Sequence, residues 1–406
     1  MVKSKRSIIV FSRWFPHNKR LEQSFHLEEL KILSYQFENV YLVPQFLEGD
    51  VYDFSKELFL VDDSLPVRLN KINFISKVKA LCSLHFLFEI PNTRFSFKKI
   101  KRAYSSLLAS FVIRGWLNEF LTDKSDVVLY SFWLDQSSLA SSMIQNPAIV
   151  KVVSRCHNYD LYGNESNGYY VPFRKKMINN LDIVLPDSNE GKSFLLNSYP
   201  KANIQIGLMG TKSCEIKNKL SEDDVIRLIS CSYLIPRKRV LLLAKAIKKF
   251  GFLYPECHIE WTHVGTGQDM KILKEIVVSF NPNIKVNLPG NLDTNQLNNL
   301  YNSNNYDLFI NTSTKEGTPV SIIEAISRSI PILATAFGGG KEIVELGAGM
   351  LLNADPTPKE IAEAIYEMTI QKDKLSHFSN MAYKTWDKCY NSEKNYMRFS
   401  ELLSTD

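Results

Sequence analysis

The sequence predicts an α/β protein built from two doubly wound, Rossmann-like halves. Three observations carry that reading. Apolar runs of strand length alternate with helical patterns along most of the 406 residues. The polar run Thr211–Asp224 separates two such series. A chain of this length also accommodates two domains of ordinary size. The boundaries read as 1–210, 211–380 and a closing helical segment, 381–406. Ligands in such sheets bind beyond the carboxyl ends of the strands, so two halves imply a cleft into which both sets of strand ends point.

In the first half, Ser7–Phe11 reads as a strand, followed by the loop from Trp14, a helix through Leu33 and a strand at Val40–Val43. Residues 50–70 read as irregular. Residues 71–121 look helical, interrupted at Pro91. Strands follow at Asp126–Tyr130, Ile149–Ser154 and Ile183–Pro186, with Asp187-Ser188 placed to cap the next helix. In the second half, strands are expected at Val225–Ser230, His258–Val264, Ile284–Leu288, Tyr306–Asn311 and Ile330–Ala336. Helices are expected at Val240–Phe250, Thr294–Asn302, after Pro319 and beyond Pro358, ending in Ala382–Leu403. Nine of the 17 glycines lie between Gly265 and Gly349, which marks that region for tight turns.

Composition narrows the function classes. The six cysteines form no CxxC pair, which argues against a zinc site or a disulfide framework and fits a reducing compartment. No apolar run is long enough to span a membrane, and Ile8–Phe11 is too short for a signal segment. Of the net charge of +6, the segment 71–120 alone carries +7, from nine Lys or Arg against Glu89 and Glu119. One basic, aromatic-rich segment on a near-neutral body suggests contact with an anionic surface. A solvated positive face reads equally well, and nucleic acid is not expected, because no binding fold for it appears.

Four constellations carry chemistry. Glu316-Gly317-Thr318-Pro319-Val320-Ser321 and Glu324 lie across a strand–loop–helix junction. Pro319 suits the first turn of a helix, Gly317 permits close backbone approach, and the unpaired N–H groups from Thr318 to Ser321 suit hydroxyls or negative charge. Taken singly, the two glutamates also read as solvated surface residues. Arg237-Lys238-Arg239 follows the first strand of the second half, where cations would face a diphosphate; a solvated helix start is the plain alternative. Arg155-Cys156-His157-Asn158-Tyr159-Asp160 ends a strand, and His157 also reads as a satisfied strand-end histidine. Gly265-Thr266-Gly267 follows a strand and alone is a tight turn.

At residues 316–335, E-G-T-P-V-S-I-I-E-A-I-S-R-S-I-P-I-L-A-T resembles the E-x7-E signature of retaining, nucleotide-sugar-dependent glycosyltransferases of the GT-B fold, glycosyltransferase family 4. The resemblance covers nearly the whole second half and is weaker in the first. It implies a GT-B fold and transfer of a hexosyl-type sugar, with retention, from a nucleoside diphosphate sugar (UDP- or GDP-linked) to a hydroxyl. By that likeness Glu316 lies at the donor sugar hydroxyls and Glu324 on the ribose. Lys238 matches the lysine of the family's G-R-L-x-x-x-K-G, but Tyr233 stands at the arginine and Arg239 at the glycine, so Arg237 or Arg239 is the candidate replacement. His157 matches the histidine of H-G-x-D, and Gly265 and Gly267 the diphosphate turn. Val286–Gly290, ending in Gly290, would hold the base.

The same likeness makes the first half the acceptor-binding domain and 381–406 a helix that returns to it. Glu22 and Asp160 are acceptor-side candidates. No Asp-x-Asp occurs, so neither a metal nor another cofactor is expected. A lipid-linked or oligosaccharide acceptor of bacterial surface polysaccharide (lipopolysaccharide or capsule) synthesis is expected, with the protein peripheral on the inner face of the cell membrane through segment 71–120. The alternatives are a GT-B sugar-nucleotide epimerase or hydrolase, or a non-catalytic sugar-nucleotide binding protein.

Overall fold

The computed structural model describes residues 4–17, 23–49, 59–163, 170–214, 216–314 and 316–405. The chain divides into two compact units, Met1–Met209 with Glu393–Asp406, and Gly210–Ser392. Each contains a six-stranded, wholly parallel sheet.

The first sheet comprises β1 (Ser7–Ser12), β2 (Asn39–Pro44), β3 (Leu60–Val61), β4 (Val127–Ser131), β5 (Ile149–Cys156) and β6 (Ile183–Pro186), in the order β3-β2-β1-β4-β5-β6. The central strands are mostly apolar because both faces are covered. Ile8, Val10, Leu42, Val128 and Tyr130 pack on one face with Leu30 and Leu33 of the helix Gln23–Gln36, with Phe37 just after it, and with Phe399 and Leu403. Ile9, Phe11, Val43, Val127 and Leu129 pack on the other with Ile113, Trp116 and Leu117 of the helix Phe97–Phe120. Strand alternation divides the two sets. The segment expected to be irregular, 50–70, instead supplies the edge strand β3 and the helix Ser64–Asn70; only 50–58 lie outside the described residues. A two-residue strand is too short to leave a pattern in sequence.

The second sheet comprises β7 (Val225–Cys231), β8 (His258–Val264), β9 (Ile284–Gly290), β10 (Leu308–Asn311), β11 (Ile332–Thr335) and β12 (Gly349–Leu352), in the order β12-β11-β10-β7-β8-β9. Leu228, Trp261, Leu308, Ile310 and Leu333 pack against the helices Val240–Leu253 and Pro358–Ile370. In both sheets the strand order reverses beside the first strand, between β1 and β4 and between β7 and β10. Those are the topological switch points, where crevices open beyond the strand ends.

The closing segment is not one helix. Lys372–Thr385 ends in a π-turn at Trp386–Tyr390, and a separate helix, Ser392–Ser404, follows. Trp386 is buried, and its indole N–H donates to Thr211 Oγ1 at 3.0 Å, so the start and end of the second unit are tied together. The last helix docks on the first unit. There Arg155 is buried over the Phe399 ring, 4.2 Å from Cζ to the centroid. Its Nε donates to Tyr130 Oη at 2.9 Å, and Tyr130 donates to Glu29 Oε1 at 2.7 Å. Its Nη2 lies 2.9 Å from Glu29 Oε2, an ion pair without hydrogen-bond alignment. Removing one partner strands the other charge in a dry core. Arg155→Met is therefore expected to cost on the order of 3–5 kcal/mol, read as a shift of the first unit's transition in chemical denaturation. An unchanged midpoint would refute the role given to this network.

Candidate functional site

In the second unit the candidate residues gather at the carboxyl ends of β7 and β10. Ser230, Cys231, Ser232, Lys238, Asn311 and Thr312 line a pocket there. The loop after β7 is fastened to the loop after β10: Thr314 N donates to Arg237 O at 2.9 Å, and Thr312 Oγ1 donates to Lys238 O at 3.0 Å. From the other side, Leu234 N donates to Thr266 O at 3.0 Å, and Gly265 N donates to Gly290 O at 2.7 Å. Gly265 has φ +137°, and a Cβ there would stand 2.0 Å from Ser232 O. Gly267 packs on Leu234 in the same way. These glycines thus shape the loop that presents Lys238.

Glu316 is buried and meets two cations. Lys238 Nζ donates to its Oε1, and Arg237 Nη1 lies 3.5 Å from its Oε2. Arg239 is committed elsewhere. Its Nε donates to Thr312 O at 2.6 Å, Nη1 to Asp355 Oδ1 at 2.9 Å and Nη2 to Ala354 O at 2.9 Å. Of the two arginines considered for the place lost at Tyr233, only Arg237 faces the carboxylate; Tyr233 itself is exposed.

Pro319 is the N-cap of the helix Val320–Ser327 rather than a residue of its first turn. Its carbonyl accepts from Ile322 N at 3.0 Å and Ile323 N at 3.3 Å. The N–H groups of Val320 and Ser321 make no hydrogen bond among the described residues, so the expected donor end of the helix is open. Glu324 lies one turn in and is half-buried. Loss of hydration pushes its carboxyl up to about 7, with Arg328 opposing. Arg328 is held by Asn298 Oδ1 at 2.7 Å and by the Glu324 carbonyl at 3.3 Å. The Glu324 charge and burial in turn raise the neighbouring Cys231 thiol to about 12, burial contributing most.

His157 and Asp160 belong to the first unit. His157 is buried, with Nδ1 3.4 Å from Asp187 Oδ2 and Nε2 3.2 Å from Phe132 O. Burial opposes its charge, but the Asp187 carboxylate outweighs this and holds the imidazole above its ordinary range. Its two ring nitrogens thus face a carboxylate and a backbone carbonyl oxygen. Asp160 accepts from His157 N at 2.9 Å and from Leu134 N at 3.0 Å, so it braces the two strand-end loops. Glu22 lies outside the described residues. The sequence reading missed Asp187 as the partner of His157. It served only as half of a capping pair, whereas Ser188 alone caps the helix Asn189–Ser198. Among the described residues no group of three or more His, Cys, Asp or Glu is placed to hold a metal ion, and no helix is long and apolar enough to cross a membrane.

The family model described as Glycosyl transferases group 1 matches residues 213–385, within the second unit. The O-antigen biosynthesis glycosyltransferase WbnH of Escherichia coli is 35% identical over 115 residues, which is 28% of this chain and 30% of that protein. Matches to curated relatives span between 30% and 64% of those proteins' own length. Among solved structures, TarM superimposes with a TM-score of 0.69 at 13% identity, covering 100% of this chain and 99% of that one. HepE of Anabaena, in complex with UDP and glucose, gives 0.63 at 14%, covering 98% and 99%. The fold is therefore GT-B. Residues 213–385 resemble the group 1 glycosyltransferase domain throughout.

The raised Glu324 pKa has a consequence for stability. The folded state holds this proton more tightly than the unfolded chain, so its contribution is complete below about pH 4.5 and lost as pH rises through about 7. Glu324→Gln should then unfold at a higher temperature than the parent at pH 8, and the gap should close as pH falls toward about 4.5. Thermal unfolding at a series of pH values checks this; parallel curves would show an unperturbed carboxyl.

Proposed function

We propose that the protein is a retaining glycosyltransferase. It moves a sugar from a UDP- or GDP-linked donor to a hydroxyl of a lipid-linked or oligosaccharide acceptor in bacterial surface polysaccharide synthesis. The observation that carries this is the junction of Glu316 with Lys238 and Arg237 beside an open helix start, with Glu324 one turn further in. Lys238 keeps N–H donors beyond the one on Glu316, and the Val320 and Ser321 N–H groups add more. Together with Arg237 they suit a departing diphosphate, whose negative charge grows as the bond to the anomeric carbon breaks. Glu316 suits the donor sugar hydroxyls, and Glu324, as carboxylate, the vicinal ribose hydroxyls. The acceptor oxygen bonds the anomeric carbon on the face the phosphate leaves, and its proton passes to that phosphate. This arrangement needs no metal. The UDP and glucose named with HepE, and the O-antigen role in the name of WbnH, support the donor and pathway classes.

In a transfer assay with UDP- and GDP-sugars, Lys238→Ala and Glu324→Ala are each expected to lower kcat/KM by tenfold or more, about 1.4 kcal/mol, and chelation by EDTA to leave the rate unchanged. Parent-like turnover in both folded variants would overturn the donor-site assignment. Conversion of the donor without an acceptor would point to an epimerase or hydrolase.

We further infer an anionic bilayer as the surface met by segment 71–120. Its helices Phe74–Leu81 and Leu84–Glu89, the following turn and the start of Phe97–Phe120 expose Phe74, Leu84, Phe88, Phe95 and Phe97, the last 82% accessible. Lys77, Lys79, Arg94, Lys98 and Lys101 are exposed among them. A solvated charged face has no reason to expose so many phenylalanines; interfacial helices combine both. On this reading the protein works at the inner face of the cell membrane. The protein should sediment with phosphatidylglycerol vesicles and not with phosphatidylcholine vesicles, and Phe88→Asp with Phe97→Asp should reduce the bound fraction at least fivefold. Equal sedimentation of parent and variant would argue for a solvated face.

A further inference from the structure

The segment assigned to the bilayer also reaches inward. In the helix Leu84–Glu89, Leu84, Leu87 and Phe88 are exposed, while Phe86 and Glu89 are buried. Phe86 meets Tyr104 edge-on, 5.8 Å between centroids, and belongs to one apolar cluster with Tyr170, Val171, Phe173 and Met177. Val171, Pro172 and Met177 in turn line a crevice past the ends of β4 and β5, together with Leu134, Tyr159 and Asp160. One short helix thus turns one face outward and closes with the other on the wall of a crevice.

A single carboxylate makes the join. Glu89 Oε1 accepts from Tyr170 Oη and, at 2.8 Å, from Phe173 N; its Oε2 accepts from Asn92 Nδ2 at 3.0 Å. The Tyr170 ring also lies under Lys99, with Nζ 5.9 Å from the centroid. Phe173 sits at φ +56°, in the left-handed region that bulky side chains avoid. Its amide is the one bound to Glu89, and its carbonyl accepts from Met177 N at 3.0 Å to open the helix Arg174–Asn180. A strained residue persists only where its surroundings hold it. Here the holding group is Glu89, next in sequence to Phe88, which is 76% exposed.

We propose that Glu89 is a positioning residue through which an anionic bilayer shapes the wall of this crevice. The inference rests on the bilayer reading of segment 71–120 and on the reading of the first unit as the acceptor side. A bilayer seated on Leu84, Phe88 and Phe97 excludes water from the neighbouring carboxylate. Hydrogen bonds to a charged group strengthen when water is displaced, so the hold on Tyr170 and Phe173 tightens. Val171 and Pro172 lie between those two residues and are ordered with them. Order already imposed by the bilayer lowers the entropy lost when an acceptor enters the crevice, which couples the two events. The crevice is then fully formed only at a membrane.

Hydrogen exchange of the full chain, read by mass spectrometry at residues 170–180, tests this, with sedimentation followed in the same samples. Phosphatidylglycerol vesicles should slow exchange there by about fivefold or more, and phosphatidylcholine vesicles should leave it unchanged. Glu89→Gln keeps the shape of the side chain and removes its charge. It should still sediment with phosphatidylglycerol, because Leu84, Phe88 and Phe97 are untouched, but lose the slowing. Tyr170→Phe removes one buried donor and should weaken the slowing in the same direction; it decides the matter where Glu89→Gln does not fold. Slowing that survives in the folded variants is plain shielding by the bilayer and overturns the proposal. Sedimentation of the parent without slowing overturns it too, and leaves the bilayer reading standing. Failure of the parent to sediment refutes the bilayer reading, and this inference with it.

Discussion

Glycine backbones hold the strand-end loops of the second unit together at separations no side chain would permit. A Cβ on Gly265 would meet Ser232 O at 2.0 Å, and one on Gly338, which also has φ +55°, would meet Glu316 O at 2.0 Å. The loop carrying Lys238 is pressed from one side and the loop carrying Glu316 from the other, and cross-loop hydrogen bonds through Thr312 and Thr314 complete the clamp. The backbone frame is therefore set before any ligand arrives. Only the tips of Lys238, Arg237 and Glu316 remain to adjust, which is the preorganisation that electrostatic catalysis requires.

Within that frame two glutamates eight residues apart meet opposite electrostatics. Glu316 is buried between two cations, Lys238 and Arg237. Glu324 loses hydration with only Arg328 among the described residues, itself tied to Asn298 and a carbonyl, to answer it. A carboxylate that lacks partners gains most from hydroxyl donors, because each new hydrogen bond offsets a desolvation already incurred. The same residue type thus suits two tasks, and the environment decides which.

Most of the parallel strands were legible because burial on both faces leaves continuous apolar runs such as Ile8–Phe11 and Leu308–Ile310. The Glu316–Glu324 junction was legible because glycine and proline mark a strand–loop–helix transition. The edge strand β3 was not, being two residues long, and the break at Trp386–Tyr390 has no glycine or proline to announce it. Side-chain pairings were the least legible. Arg155 with Glu29, Arg239 with Asp355 and His157 with Asp187 are joined by the fold across long stretches of chain, and neither spacing nor residue type encodes them. The three adjacent basic residues after β7 show the cost: type alone made them equivalent, while geometry gives two to Glu316 and one to scaffolding.

The two sheets share one strand order, and the comparison within the chain is instructive. In each, a cation placed just after the first strand pairs with a carboxylate placed just after the fourth: Lys238 with Glu316 in the second unit, Arg13 with Asp135 in the first. The switch point itself explains the recurrence. There the first and fourth strands are neighbours while their outgoing connections part to opposite sides, so their loops alone face across the crevice. What differs is the setting. Open helix amides and a second basic residue surround the pair in one unit, and aromatic rings with Arg102 surround it in the other. The topology thus supplies the same charged pair twice, and the neighbours decide what each pair is fitted to hold.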